Sequence, residues 1–502
     1  MPPMQKSAVL PFLCLSLIVV SLAGCGGSAN PDPPTPTPRP LSGSNLNLIF
    51  VVSEDLAYND PGDINPSTAN LTDRGLQRSL LMGAFLKRQV LGGTSVTGIY
   101  ALEPMTHLQT SANYPDMVAL ASIQQFAMLN QITLAHGSKP PVTASSYPVN
   151  ASYSSAPLPD GVAEPLLNCA SGPGDAYSCQ GLDFRDQNGD NEELVSGIVK
   201  AKQPGFYIFT APWETVRPLL ANINRLENFN LALPALYAGA NLIYAISITP
   251  SGNASLVTYD SNVDPPSTYP ILPAGGIVTM PCLPATNHST FHIQVTGGVG
   301  GAVVPAGINT NETVYLVRHA EAHPTSWWED GNYIGAGQWR ALDLPNALRG
   351  KIHPTLVLSI DPAQVIPGST SAIEDSYSYV RTNMTVLPYA IANHLPYMLA
   401  ANFEMAAQNP PQPATQASNY FFSGGQFSNA SLLVGWEHDH IPPTITALLE
   451  TYHAGQTAPN WPDDDYDTVW TVKLDANGNL SVDNATCEGI SSADLPGAPP
   501  QF

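Results

Sequence analysis

Two apolar stretches, far apart in the chain, each end next to a histidine. Residues 313–317 (TVYLV) have the pattern of a buried strand and run into Arg318 and His319, and residues 432–436 (LLVGW) lead to His438. Active sites of open α/β sheets lie at the carboxyl ends of such strands. An arginine held beside a histidine near apolar residues is costly unless an anion compensates its charge. The two motifs therefore predict an anion-binding site that contains two histidines.

The order of these motifs resembles the histidine phosphatase superfamily, which has the phosphoglycerate mutase-like fold. The resemblance implies that neutral His319 attacks phosphorus and forms a phosphohistidine that water later hydrolyses. It also implies that Arg318, Arg381 and His438 donate to the non-bridging oxygens. Arg381 precedes Thr385 by four residues, as the family's second arginine precedes its threonine, which places both on one helix face. The expected activity is hydrolysis of a phosphomonoester, without a cofactor or a metal.

The proton donor for the leaving oxygen has three candidates. Asp439 is preferred, because it follows His438 and resembles the His-Asp pair of the acid phosphatase and phytase branch. Glu437 is an alternative, although adjacent strand residues point to opposite faces, so it should point away from the pocket if His438 points inward. Glu404 is the candidate if the acid comes from a loop between helix and strand, as in the mutase branch.

Two other functions stay open. His438 and His440 are two residues apart on a predicted strand, and His319 and His323 are four apart, so a zinc-dependent hydrolase is conceivable. Arg318 argues against zinc, because a cation beside a metal ligand disfavours metal binding. The third interpretation is a non-catalytic envelope protein, for binding or structure, with a vestigial pocket on the same fold.

An internal repeat organises the chain. Residues 47–86 and residues 314–348 both contain a strand, a loop and an amphipathic helix, and Gly75 falls opposite Gly337. The predicted fold class is therefore α/β, with two tandem three-layer αβα phosphoglycerate mutase-like domains and mostly parallel central sheets. Residues 46–281 form the first predicted domain and residues 282–502 the second, since 502 residues are too many for one core.

The first copy lacks the phosphate-handling residues of the second. The matches are Ser53-Glu54 (or Val52-Ser53 in a register shifted by one) for Arg318-His319, Thr106 for Arg381 and Thr215 for His438. The loss of all these positions beside an intact apolar pattern predicts that the first domain is folded but catalytically silent.

The N-terminus predicts export and a lipid anchor. Lys6 precedes an apolar stretch at residues 8–22, which is a signal-peptide pattern. Residues 22–25 (LAGC) look like a bacterial lipobox, which implies lipidation of Cys25. Residues 26–45 are rich in proline and read as an extended tether. The expected location is the bacterial cell envelope, at the outer membrane and facing the periplasm or the cell surface, with only the anchor in the bilayer.

The remaining cysteines fit that compartment. Beyond Cys25 the chain has four, and an even number in an exported protein predicts two disulfides, for which sequence alone permits three connectivities. We favour Cys169 with Cys179, which closes a short loop, and Cys282 with Cys487, which ties the junction of the two domains to the C-terminal tail.

The charge balance limits the partners. The chain has 18 Lys and Arg against 40 Asp and Glu, a formal net charge of −22. Such a chain repels nucleic acid and anionic membrane surfaces. It also repels phosphate at long range, so a phosphorylated small-molecule substrate has to be held by a local cluster of arginines.

Overall fold

The computed structural model describes residues 38–58, 60–136, 138–151, 181–186, 189–282, 290–323, 329–362, 365–367, 376–400 and 411–502. Residues 38–502 form one compact unit. The predicted signal peptide, Cys25, Cys169, Cys179, Glu404 and the tether up to residue 37 lie outside the described residues. Within the described residues, no helix combines the length and apolar character needed to cross a membrane.

We define the first half as residues 38–281 and the second half as residues 282–502. The strands of the first half are β1 (Leu46–Val52), β2 (Gly98–Ala101), β3 (Leu108–Gln109), β4 (Tyr114–Pro115), β5 (Thr133–His136), β6 (Lys139–Thr143), β7 (Gly205–Ala211), β8 (Leu242–Ile248) and β9 (Ala254–Asp260). Its helices are α1 (Asp73–Phe85), α2 (Val118–Met128), α3 (Asp190–Ala201) and α4 (Trp213–Leu226).

The second half continues the series. Its strands are β10 (His292–Val295), β11 (Glu312–Arg318), β12 (Leu356–Ile360), β13 (Val365–Pro367), β14 (Ser376–Ser378), β15 (Tyr397–Ala400), β16 (Ser431–Trp436), β17 (Thr468–Leu474) and β18 (Leu480–Cys487). Its helices are α5 (Gly335–Ala347), α6 (Arg381–Ala392), α7 (Pro411–Phe422) and α8 (Ile441–Thr451).

The main sheets of the two halves share one strand order. The first is β2-β7-β1-β8-β9, and the second is β15-β12-β16-β11-β17-β18-β10. In each, the central strand (β1 or β11) pairs in parallel with β7 or β16 on one side and antiparallel with β8 or β17 on the other. The α/β class is as predicted. The prediction of mostly parallel sheets is met only in part, because each sheet ends in antiparallel strands on one side.

Helices cover both faces of each sheet because the central strands are apolar on both faces. Along β1, Ile49 and Val51 pack toward α1 and α2, whereas Leu48 and Phe50 pack with α4. The cluster that contains Ile49 extends through α5 and α6 to β11 of the second half. The two sheets therefore share one layer of buried apolar residues, and the division at residue 281 stays a prediction.

Buried polar contacts join the two halves. Three of the hydrogen bonds that cross between them are Gln124 Nε2 to Asn332 Oδ1 at 2.7 Å, Ser146 Oγ to Asp330 Oδ2 at 2.6 Å and Gln338 Nε2 to Gln125 Oε1 at 2.6 Å. Each of these residues except Gln124, at 6%, is less than 2% exposed. Separation of the halves would leave these groups without partners, which is costly for buried polar atoms.

Glycines place α1 and α5 against the preceding loops. A Cβ atom on Gly75 would lie 2.2 Å from the carbonyl oxygen of Asp63, and one on Gly337 would lie 2.6 Å from the carbonyl oxygen of Glu321. No side chain fits at such distances without a backbone shift. The two glycines matched from the sequence thus do the same work in both halves.

A buried arginine follows each of these glycines. Arg78 of α1 pairs with Asp63 at 3.0 Å, and Arg340 of α5 pairs with Glu321 at 2.9 Å. Arg340 is fully buried, and this ion pair requires the Glu321 carboxylate to remain charged. These ion pairs fix the helices to the loops that follow β1 and β11.

The predicted disulfide between Cys282 and Cys487 is present. Their Cα atoms lie 5.5 Å apart, and the bridge joins the start of the second half to the end of β18.

Candidate active site

The end of β11 holds Arg318 and His319 at the centre of the second sheet. The His319 amide donates to the Trp436 carbonyl at 2.8 Å and so continues the pairing of β11 with β16. The next amide, of Ala320, donates to Thr385 Oγ1 at 2.9 Å. Thr385 belongs to α6 and in turn donates to the carbonyl of Arg381 at 2.7 Å. The loop after β11 is therefore tied to the helix that carries the second arginine.

His319 is held in one tautomer. Its Nδ1 lies 2.7 Å from the Ala320 carbonyl oxygen, which can only accept, so Nδ1 carries the proton. The side chain is almost completely buried. Burial, and next the charge of Arg381, lower the pKa of His319 from 6.5 to about 4, although Glu437 acts in the opposite direction. Burial and Arg381 therefore favour the neutral ring that a nucleophile requires. The 2.9 Å contact of Nε2 with the Glu437 carboxylate needs a proton between the two atoms, so the Nε2 lone pair becomes free only when Glu437 moves away.

Arg381 begins α6 and points into the same pocket. Its guanidinium lies 4.4 Å from the ring centre of Tyr379 and donates to carboxylates of Glu329 and Glu437. Within the described residues its Nε atom is buried without a hydrogen-bond partner. An arginine that is 5% exposed and keeps an unused donor can bind a further anion.

Arg318 is oriented by the loop before β17. Its guanidinium stacks 3.9 Å from the ring centre of Tyr466 and donates to the Asp465 carbonyl oxygen at 3.3 Å. Its Nε atom is likewise buried and unpaired as far as the described residues go. Part of its hydrogen-bonding capacity is thus used by backbone carbonyls, and the side chain lines the pocket.

Glu437 occupies the centre of the pocket. Its Oε1 atom lies 2.9 Å from His319 Nε2 and accepts from the Tyr379 hydroxyl and from Arg381 Nη2, the latter at 3.2 Å. Its Oε2 atom accepts from His438 Nδ1 at 3.1 Å. Burial opposes the shift, but His319 and then its hydrogen bonds and Arg381 lower the pKa of Glu437 well below its usual value. A carboxylate therefore fills the space between both histidines and Arg381.

The expectation that Glu437 points away from the pocket is wrong. Strand β16 ends at Trp436, so the alternation of side chains stops there and Glu437 and His438 both face inward. His438 Nε2 lies 3.5 Å from Asp439 Oδ1 and 3.4 Å from Asp463 Oδ1. The side chain of Asp439 is 77% exposed and so lies at the mouth of the pocket.

These side chains surround an open cavity of about 730 Å³. Its lining residues combine the predicted catalytic set with acidic groups at the rim: Arg318, His319, Glu321, Ala322, His323, Glu329, Ile334, Arg381, Glu437, His438, Asp439, Asp463, Asp464 and Tyr466. The cavity has room for a small phosphorylated molecule.

The histidine pairs considered for zinc do not come together. His323 lies 3.4 Å from Asp330, and His440 stacks on Trp436 with ring centres 5.7 Å apart. Instead, ligand atoms of His319, Glu437 and His438 lie within 4.8 Å of one another. This set differs from both pairs considered from the sequence.

The first half has no cationic counterpart at the matching positions that the structure describes. The Ser53 amide donates to the Ala211 carbonyl at 3.0 Å, as the His319 amide does to Trp436, which selects the shifted register. The structural matches are Val52 for Arg318, Ser53 for His319, Val118 for Arg381 and Trp213 for His438. The sequence matches of Thr106 and Thr215 are therefore wrong, and the conclusion that the cationic residues are absent is unchanged.

The Thr106 match is wrong because Thr106 lies between β2 and β3 and not at the start of α2. The hairpin of β3 and β4 separates β2 from α2, so the first residue of α2 is Val118. Ser122 lies four residues later, as Thr385 follows Arg381, and donates to Glu54 at 3.2 Å. The cavity beside Glu54 and Arg78 is only about 10 Å³, room for about one water.

Sequence reasoning missed Tyr379 and Glu329, which contact Arg381. Tyr379 lies two residues before it, and an aromatic residue so close to an arginine is a weak signal for stacking. Glu329 comes from the loop before α5, and nothing in its local sequence indicates the contact.

No protein-family profile and no curated protein matches the chain. Similar solved structures include SixA, a candidate phosphohistidine phosphatase from Agrobacterium tumefaciens, with 17% identity, a TM-score of 0.21 and coverage of 32% of this chain and 91% of that one. A phosphoserine phosphatase from Entamoeba histolytica, in complex with 3-phosphoglyceric acid, has 14% identity, a TM-score of 0.23 and coverage of 43% and 96%. Such low identities and TM-scores carry no functional argument, so function has to be argued from the geometry of the site.

Proposed function

We propose that this chain is an exported, lipid-anchored histidine phosphatase that hydrolyses a phosphomonoester through a phosphohistidine intermediate. The observation that carries the proposal is His319, a buried histidine whose Nδ1 is fixed by the Ala320 carbonyl and which lines the cavity with Nε2 in contact with Glu437. Both arginines beside it keep an unpaired Nε atom in the described structure. A nucleophile with a fixed lone pair, next to unsatisfied guanidinium donors, suits phosphoryl transfer.

The reaction proceeds in two displacements. His319 Nε2 attacks phosphorus, the new N–P bond forms, and the bond from phosphorus to the leaving oxygen breaks. Arg318, Arg381 and His438 hold the non-bridging oxygens while charge redistributes. Water then attacks phosphorus on the phosphohistidine and releases inorganic phosphate and the free ring.

Asp439 is the proposed acid, because of in-line geometry. The leaving oxygen departs on the side of phosphorus opposite to His319 Nε2. Glu437 contacts Nε2 directly at 2.9 Å and so lies on the wrong side for this transfer. Asp439 lies beyond His438, toward the mouth of the cavity, where it can protonate the leaving oxygen and later take a proton from water.

Substrate has to displace the carboxylate of Glu437. Its oxygens contact the same histidine and arginine atoms that phosphate oxygens would contact. A phosphate dianion carries more charge than one carboxylate and competes for these donors. The site is therefore self-inhibited to the extent that Glu437 stays in place.

A zinc-dependent hydrolase is the second candidate, because His319, Glu437 and His438 offer three ligand atoms within 4.8 Å. Two contacts argue against it. Arg381 lies 3.2 Å from a Glu437 oxygen, where its charge would repel a bound cation, and the Tyr379 hydroxyl donates to the same oxygen.

The other parts of the proposal rest on sequence. Cys25 would carry the lipid, the proline-rich segment would hold the folded part away from the envelope membrane, and the chain would derive from a tandem duplication. The order of the five strands in the first sheet, which recurs among the seven of the second, supports duplication. The first half would be a silent domain for phosphoryl transfer.

A phosphomonoester panel with purified chain tests the function. We expect turnover that persists in EDTA and is blocked by vanadate, which mimics the transition state held by the arginines. Loss of activity on chelation, restored by zinc, would favour the metallo-hydrolase. If the folded protein hydrolysed no phosphomonoester, the interpretation as a non-catalytic envelope protein would be favoured.

A further inference from the structure

The first half contains a cluster of metal-ligand side chains at the edge where the second half has its histidine pocket. Ligand atoms of Asp55, His107 and Asp116, which we call the Asp55 cluster, lie within 4.8 Å of one another. Asp55 follows the end of β1 by three residues, and Asp116 precedes α2 by two. The cluster is therefore built on the elements that match β11 and α6.

Each carboxylate of the Asp55 cluster is oriented by its own backbone. Asp55 Oδ1 accepts from the Ala57 amide at 2.7 Å, and Asp116 Oδ1 accepts from the Val118 amide at 3.0 Å. The two Oδ2 atoms are thus left to face His107 Nδ1, at 3.5 Å from Asp55 and 2.8 Å from Asp116. The His107 ring is itself fixed by stacking on Phe184, with ring centres 3.6 Å apart.

One oxygen in this cluster has no donor. His107 Nδ1 can give one proton, and Asp116 takes it at the shorter distance. Within the described residues Asp55 Oδ2 has no hydrogen-bond partner, although Asp55 is only 3% exposed and this oxygen points at His107. A buried carboxylate oxygen without a donor is unfavourable unless a cation binds it.

A further carboxylate lies nearby. Glu214, in the first turn of α4, is close enough to interact electrostatically with all three members, and its Oε2 atom is also buried without a partner in the described structure. The cluster and Glu214 therefore bring three carboxyl groups close to one imidazole.

We propose that the Asp55 cluster binds a divalent transition-metal ion, such as Zn²⁺, through Asp55 Oδ2, His107 Nδ1 and Asp116 Oδ2. One imidazole and two carboxylates form a ligand set that suits Zn²⁺, and three protein ligands leave a coordination position for water or a further ligand. Ligand atoms around tetrahedral zinc lie about 3.4 Å apart, given bond lengths near ~2.1 Å. The 3.5 Å distance from His107 Nδ1 to Asp55 Oδ2 already fits this value. The 2.8 Å distance from His107 Nδ1 to Asp116 Oδ2 has to increase when the metal binds.

Metal content of the purified, tag-free full-length chain tests this site. The chain is stripped with a chelator, loaded with Zn²⁺, passed through gel filtration and analysed for bound zinc per chain, and affinity is measured by competition with a zinc-binding dye. We expect one retained equivalent, which Asp55→Asn and Asp116→Asn both remove by weakening binding at least about 100-fold.

Matched variants distinguish the two halves. His323→Gln alters a buried histidine paired with Asp330 in the second half and should keep the bound zinc. His438→Gln removes a ligand of the other candidate set and should also keep it. Zinc lost from His438→Gln but kept by Asp116→Asn would overturn the proposal, as would wild-type protein that retains none.

A further variant separates loss of zinc binding from loss of folding. His107→Gln changes the partly exposed member of the cluster, so it is the variant with the smallest effect on the core. Zinc should raise the melting temperature of the wild-type chain and leave that of His107→Gln unchanged. An equal rise in both proteins would refute binding at the Asp55 cluster.

Discussion

The two halves of this molecule share the order of five strands and place different side chains at the carboxyl edge of that sheet. After β11 and at the start of α6 the second half has His319 and Arg381, whereas beyond β1 and before α2 the first half has Asp55 and Asp116. The sheet determines that these side chains converge at its carboxyl edge. Their chemical types determine whether a site there binds an anion or a cation. Architecture therefore predicts the place of a site better than its chemistry.

The two halves also differ in the volume of the cavity at this edge. The cavity beside His319 is about 730 Å³, and the space beside Glu54 and Arg78 is about 10 Å³. In the first half Arg78 is turned to Asp63 and lies 3.8 Å from Glu54, which closes the position where a phosphate would enter. Phosphoryl chemistry should therefore depend on the second half alone.

His319→Ala gives the largest effect that the comparison predicts. Loss of the nucleophile removes the covalent route, so kcat should fall about 10⁴-fold or more. The matched control is Ser53→Ala, at the corresponding position after β1, which should leave kcat unchanged. Turnover of a phosphomonoester by both variants, with circular dichroism to verify folding, checks the prediction. Equal losses in the two variants would mean that the halves do not differ as proposed.

Arg381→Gln should give the next largest effect. It removes a charged donor to the transferring phosphoryl group, so kcat/KM should fall about 10²- to 10³-fold and vanadate should bind more weakly. Val118→Ala changes the matching first residue of α2 and is the control, with kcat/KM expected near wild type. An Arg381→Gln enzyme with normal vanadate affinity would remove this arginine from the phosphate cradle.

Four residues that the sequence predicted to lie together do so, but not all of their contacts were expected. Arg318 and His319 were placed at a strand end because an apolar run stops there, and the structure brings Arg381 and His438 to the same pocket. The inward turn of Glu437 was missed because the strand was expected to extend to His438, whereas β16 ends at Trp436.

The Asp55 cluster could not be predicted from local patterns. Its members come from three separate segments, at residues 55, 107 and 116, and no short spacing connects Asp55 to the others. The hairpin β3–β4 brings His107 and Asp116 together, since it lies between them and turns the chain back. Long-range convergence of this kind depends on tertiary packing and not on periodicity.

Glu437→Gln tests whether a carboxylate competes with phosphate. An amide keeps the shape and loses the charge, so vanadate and phosphate should bind about 10-fold more tightly, which is about 1.4 kcal/mol. Inhibition constants for both anions measure the effect, and Asp464→Asn, a rim carboxylate, serves as a control with a smaller change. Weaker anion binding in Glu437→Gln would show that Glu437 supports the phosphate site.

The same variant changes the pH dependence in a defined direction. The pKa of His319 lies at about 4, below its usual value, so the neutral nucleophile is present above that pH and is lost as pH falls through it. Glu437 raises this pKa, so its neutralisation should lower the pKa further and move the acidic limb of kcat/KM to lower pH. A shift of that limb to higher pH would contradict the assignment of the limb to His319.

Gly75→Ala and Gly337→Ala should have the smallest effect on catalysis and test the shared framework. Both would place a Cβ atom against a loop carbonyl oxygen, at 2.2 Å and 2.6 Å, so each should lower the free energy of unfolding by about 1–3 kcal/mol. Gly197→Ala is the control, because no atom lies within 4 Å of its Cβ position and alanine favours the helix.

The two glycine variants should differ in kcat even though they lower the free energy of unfolding by similar amounts. Gly337 packs on the loop that contains Glu321, two residues after His319, so Gly337→Ala should also lower kcat. Gly75 packs on the corresponding loop of the first half, so Gly75→Ala should leave kcat per folded molecule unchanged. Urea unfolding gives the stability and initial rates give kcat. If Gly75→Ala lowered kcat as much as Gly337→Ala, the first half would influence the reaction through the shared core, and the two sites could not be treated as independent.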